Sequence, residues 1–154
     1  MQFKSVNRKK DWQDKLNKVF DNYEKDEFIW GETDCFCFAS DCIKAMTGYG
    51  PMDNFKSMYK DEQSAYKSLS SGMKGLDGKF YKYNGLIGFW ASFLGEPKSL
   101  GGTMIGDVVL MDLPNQKDLY TAVVNDTGRY AYVNAKKDYL VEVPMSRAKY
   151  VWGV

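Results

Sequence analysis

The chain has 154 residues, 44% of them hydrophobic and 27% charged. That is enough for one soluble domain, which buries about two-thirds of its unfolded surface without metal or disulfide staples. Its 21 basic and 20 acidic residues leave a net charge of +1, which argues against a protein whose main task is neutralising phosphates. Histidine is absent, so the chain by itself can form neither Ser-His-Asp nor Cys-His machinery, nor an imidazole metal site.

Residues 1–10 hold no apolar run of signal-peptide length. The most apolar stretch, residues 85–94, is too short to span a bilayer. A soluble protein made in the cytoplasm, without its own export signal, is expected. Over residues 10–25, Trp12, Leu16, Val19, Phe20 and Tyr23 recur at helical spacing among Lys, Asp and Glu, which predicts an amphipathic helix. Lys9, Lys10, Lys15 and Lys18 give it a basic, solvated outer side. We read residues 1–27 as an N-terminal helical extension and 28–154 as the domain proper, in one globular unit.

The second helix is the best marked. Asp34 is its expected N-cap, Cys35, Phe38, Ala39, Cys42, Ile43 and Met46 form one face, and Thr47-Gly48 stops it. Tyr49-Gly50-Pro51 reads as a turn. A third helix is expected from about Asp61 to Leu69, ended by Ser71-Gly72. A glycine-rich loop follows over 72–85, without the Lys-Ser or Lys-Thr of a phosphate loop. The Phe89, Trp90 and Phe93 cluster reads as core.

The last third changes period from helix to strand. Strands are expected at 107–111, 120–124, 129–133, 139–143 and 149–152, with a turn at Asn125-Asp126-Thr127-Gly128. Helices first and an antiparallel meander second predict an α+β domain.

The three cysteines, Cys35, Cys37 and Cys42, are an odd number in too short a stretch for a disulfide framework. A closed zinc site would need a distant fourth ligand such as Asp107, so no metal or other cofactor is expected. Cys35 and Cys42 share the apolar face of the second helix and read as core, whereas Cys37 falls off that face. Asp107 reads as fixing a turn or capping an amide at a strand start. Tyr49, Tyr59, Tyr66, Tyr81 and Tyr83 suit a protein interface.

The order of these signals resembles the NlpC-type branch of the papain-like cysteine peptidases. Trp30-Gly31-x-x-Asp34-Cys35 opens a helix, Gly106-Asp107-Val108-Val109 opens a strand, and two further strands lead to Tyr132-Val133-Asn134-Ala135. It is closer to a group of phage-encoded domains related to that branch. The shared features are Phe38-Ala39-Ser40-Asp41, Thr47-Gly48, Tyr59 with Ala65, and the closing Arg147-Ala148-Lys149-Tyr150-Val151-Trp152. The resemblance covers about residues 28–154 and implies a degenerate papain-like fold, with N-terminal helices packed on a C-terminal antiparallel sheet. It puts Cys35 at the nucleophile position, Tyr120 at or next to the histidine position and Asn134 at the third polar position.

A thiol with an ordinary pKa of about 8.5 needs a base, and tyrosine at about 10 is a poor one. These three are therefore expected to be relic positions. The resemblance then implies a non-catalytic structural or interaction protein of a bacteriophage virion, in the tail or neck. Its partners would be other virion proteins or copies of itself, with peptidoglycan as a further contact, no nucleic acid and no membrane insertion. The alternative is a cysteine-dependent peptidoglycan hydrolase or amidase using Cys35 with a non-histidine base. A third reading is binding of a glycan or peptide, without cleavage, in the relic cleft.

Overall fold

The computed structural model describes residues 8–114, 116–135 and 139–154. The first seven residues, residue 115 and residues 136–138 lie outside them. Among the described residues four α-helices precede a five-stranded antiparallel sheet, the α+β order expected from the pattern.

Helix α1 (Trp12–Lys25) turns Leu16, Phe20 and Tyr23 inward, while Lys15 and Lys18 stay exposed. Phe20 meets Tyr132 of the sheet edge-on at 5.0 Å, and Tyr23 meets Phe38 at the same distance. Burying a leucine or phenylalanine in this way contributes roughly 1.5–3 kcal/mol. The N-terminal helix thus shares one core with the rest of the chain.

Helix α2 (Cys35–Thr47) begins and ends as its caps dictate. The Asp34 carboxylate accepts the Cys37 amide, and Gly48, at φ +93°, closes the last turn by donating to the Lys44 carbonyl. The helix is buried nearly all round, with only Asp41, Lys44 and Ala45 forming a narrow outer stripe. The expectation of one buried face is corrected accordingly: Phe36, Cys37 and Ser40 are also buried. A helix apolar on every side belongs inside.

Helix α3 (Glu62–Ser71) starts on a capping box, in which the Asp61 carboxylate accepts the Ser64 amide and the Ser64 hydroxyl approaches the Asp61 amide. Strands β1 (Met73–Lys74) and β2 (Phe80–Tyr81) then form a small hairpin inside the segment expected to be loop. Asn54 holds the hairpin, its carbonyl accepting the Leu76 amide and its side chain the Asp77 amide.

Helix α4 (Leu86–Leu94) occupies the apolar run that the sequence marks as core without marking it as helix. Its uniform hydrophobicity leaves no 3.6-residue stripe to detect, and Gly85 caps it without a side chain.

The sheet consists of β3 (Val108–Met111), β4 (Tyr120–Val124), β5 (Tyr130–Ala135), β6 (Tyr139–Pro144) and β7 (Ala148–Trp152), in the order β6-β5-β4-β3-β7. The first four follow as a meander. β7 crosses back to pair with the far side of β3, Val109 opposite Val151, so the expected simple meander is corrected. One face of the sheet, with Val108, Leu110, Val123 and Trp152, joins the helical core. The other carries Val109, Met111, Ala122, Val124, Ala131 and Val133, all without solvent exposure. Among the described residues no α-helix contributes to that second cluster. Leu113, Tyr120, Val141 and Met145, from the strands and their connections, pack against it.

Candidate functional site

The loop before α2 is held against residues 55–59. Gly31, at φ +86°, brings its backbone so close to the Tyr59 carbonyl that a Cβ there would lie 2.5 Å from that oxygen. Its carbonyl accepts the Ser57 amide. Asp34 completes the joint: Oδ2 accepts the Gly31 amide at 2.7 Å and the Tyr59 hydroxyl at 2.6 Å, while Oδ1 accepts the Cys37 amide at 2.9 Å. This fully buried carboxylate is satisfied by three donors, one of them 25 residues away. An N-cap reading finds only the local one.

Cys35 is the first residue of α2 and is 1% exposed. Burial pushes its thiol pKa up, and the Asp34 charge adds to this. The nearby backbone amides of Thr121, Cys35 and Phe36 pull the other way without reversing it. A helix N-terminus that favours thiolate is thus outweighed by the dry surroundings. Cys37 and Cys42 are buried with raised pKa values as well, chiefly from desolvation, so Cys37 is core rather than off the apolar face.

Tyr120 and Asn134 reach the same end of the sheet by different faces. Alternation along β4 turns Thr121 and Val123 toward α2, and Thr121 accepts the Trp90 indole N–H at 3.0 Å. Tyr120 packs against the second cluster instead. Its hydroxyl donates to Gln116 Oε1 at 3.2 Å, with Glu62 Oε1 at 3.5 Å, and its pKa is pushed up to about 12 by burial first and then by Glu62 and Cys35. Leu119, beside it, packs toward the helices. Asn134 does lie on the α2 side and donates through Nδ2 to the Thr33 carbonyl, tying β5 to the loop that ends in Cys35. The structure therefore gathers Cys35 and Asn134 around the start of α2 and engages the Tyr120 hydroxyl elsewhere.

An open cleft of about 690 Å³ lies alongside, lined by Trp30, Asp61, Glu62, Tyr66 and Asp118 among others, with Cys35 outside the lining. Tyr66 packs its ring on Phe36 at 5.6 Å and donates its hydroxyl to the Leu119 carbonyl. The ionisable groups whose fields reach Cys35 are Asp34, Tyr59, Tyr66 and Tyr120. The carboxylate is saturated with donors, and burial raises all three phenols, so none is a base for the thiol at neutral pH.

Asp107 was read as a turn or amide cap, and it accepts the Met104 amide at 2.8 Å. It also takes ion pairs from Arg8 and Lys98, connections that sequence reasoning missed. Asp41, of the Phe-x-x-Asp pattern, accepts the Tyr23 hydroxyl at 2.6 Å and pairs with Lys56 at 3.1 Å. Among the described residues no group of three or more Cys, Asp or Glu is disposed to hold a metal ion, and no helix is long and apolar enough to cross a membrane.

The chain belongs to the family described as a domain of unknown function (DUF6950), whose family model matches residues 7–154. No curated protein matches it.

Proposed function

We propose that this DUF6950 domain is a non-catalytic structural or interaction module built on a degenerate papain-like (NlpC-type) fold, and that it serves in a bacteriophage particle, in the tail or neck. The observation that carries the non-catalytic reading is Cys35: at the nucleophile position, it is 1% exposed, and among the described residues no base stands beside it. The papain-like reading draws on a cysteine that opens a helix packed on β4 and β5, with Asn134 at the same end. The virion reading draws on the order of motifs from Trp30-Gly31 to Arg147-Ala148. Exposed Leu76, Phe80 and Met104 offer apolar contacts to neighbouring virion proteins or to further copies.

Two measurements test this. Alkylation of the folded protein, read peptide by peptide across pH, is expected to leave Cys35 unmodified until unfolding. Fast modification with an apparent pKa well below about 8.5 would overturn the non-catalytic reading in favour of a cysteine hydrolase. Mass spectrometry of purified particles is expected to find the chain in stoichiometric amounts, and its absence removes the virion assignment.

A further inference from the structure

Tyr49 meets Tyr81 and Tyr83, some thirty residues further along the chain, at a partly enclosed pocket of about 190 Å³. Phe55 and Phe93 line it as well, and Asn54 stands among them. The ring arrangement is specific. Tyr81 and Tyr83 lie parallel, 8° apart in plane, and Phe55 stands at 86° and 88° to them. Tyr83 in turn meets Phe93 at 5.9 Å.

Five aromatic side chains thus line one small recess, and aromatic π-density attracts cations. Two carboxylates lie near the pocket, Asp53, which pairs with Lys44 at 2.8 Å, and Asp77, whose neighbour Lys79 is exposed. The field of Asp53 reaches Tyr49, that of Asp77 reaches Tyr83, and the Tyr81 hydroxyl donates to Asp77. No Lys or Arg lines the pocket. Asn54, Tyr81 and Ser92 at its wall already have partners within the protein. Asn54 accepts the Asp77 amide, and the Ser92 hydroxyl donates to the Phe89 carbonyl. A ligand that needs several directed hydrogen bonds, such as a sugar, finds few groups to satisfy it here. The volume is below the roughly 300 Å³ at which drug-sized pockets begin, so it fits one compact head group.

We propose that this pocket binds a small organic cation carrying a methylated ammonium group. Such a cation is weakly hydrated and loses little on entering an aromatic recess, where the ring faces replace its water. A bare ammonium, strongly hydrated, does not gain by the exchange. The proposal is independent of the non-catalytic reading, because the pocket is built from residues other than those around Cys35.

The test is titration of the intact chain with choline and with tetramethylammonium, followed by calorimetry and by NMR of the tyrosine ring protons. Parallel titrations use 3,3-dimethylbutan-1-ol, which has the shape of choline without its charge, ammonium chloride and N-acetylglucosamine. Both methylated cations are expected to bind and to shift the Tyr81 and Tyr83 signals, and the three controls to leave them unmoved. Tyr83→Phe is expected to retain binding, and Tyr83→Leu to weaken it at least about tenfold, the worth of a desolvated cation–π contact. Equal binding of the neutral isostere, preference for the sugar, or no shift with either cation would each overturn the proposal. The comparison of ligands on the unaltered chain stands even if the leucine variant fails to fold.

Discussion

A carboxylate without solvent contact is tolerable only when donors meet its lone pairs, and Asp34 has three such donors. If it were an N-cap alone, Asp34→Asn would be nearly neutral, since the two residues cap equally well. Here the amide must turn its NH2 toward either the Cys37 amide or the Gly31–Tyr59 pair of donors. Asp34→Asn is therefore expected to cost about 1–3 kcal/mol, and Asp34→Ala about 2–4 kcal/mol from the lost cap plus a stranded Tyr59 hydroxyl. Urea unfolding measures both, and an Asn variant as stable as the parent would reduce Asp34 to a local cap. The cap itself was legible from Asp34-Cys35, because an N-cap is a three-residue relation. Its bond to Tyr59 was not, because it depends on how residues 55–59 fold back on the loop before α2.

At the scale of elements, the approach of that loop to residues 57–59 rests on Gly31. Gly78 has a similar φ, +82°, but a Cβ there meets nothing within 4 Å. Gly78→Ala is expected to cost about 1–2 kcal/mol from backbone strain alone. Gly31→Ala adds a collision with the Tyr59 carbonyl and should exceed it by at least about 2 kcal/mol. Thermal unfolding of the two variants side by side checks this, and equal losses would mean that the loop moves freely aside. The same scale explains why helices α1 to α3 were legible and α4 was not. α1 alternates faces, α2 and α3 carry strong caps, and α4 offers neither signal. It also explains Tyr120. Strand β4 was placed within its observed bounds, yet which of its residues face α2 depends on a period of two, so Tyr120 and its neighbour Leu119 point to opposite faces.

Taken whole, the molecule has an unusual titration pattern. Without histidine, no side chain has an ordinary pKa between those of the carboxylates and the thiols. Above that range the buried groups decide. Cys35, Cys37 and Cys42 have folded pKa values raised above the unfolded value of about 8.5. Below about pH 8.5 both states keep the proton. Above it only the unfolded state releases it, so stability falls as pH rises. Each thiol contributes a slope approaching about 1.4 kcal/mol per pH unit, and the three together about 4. Tyr23, Tyr59 and Tyr66, raised in the same direction chiefly by burial, steepen the loss from about pH 10. Urea midpoints are thus expected to be flat from pH 6 to 8 and to fall steeply beyond about 9. Cys42→Ala should remove about a third of the thiol slope. A flat profile to pH 10 would mean that these thiols reach water in the folded state.

The sequence by itself determined whatever depends on near neighbours: the α+β order, three helices and the caps of the second, the five strands of the main sheet, and the exclusion of histidine chemistry. These are relations within a few residues, set by side-chain periodicity and local hydrogen bonding. Only the tertiary structure decided the return of β7 to β3, the burial of a second sheet face, the burial of Cys37, and the meeting of Tyr49 with Tyr81 and Tyr83 in one pocket. Each depends on which distant surfaces cover one another, and that is set by the assembled core rather than by periodicity along the chain.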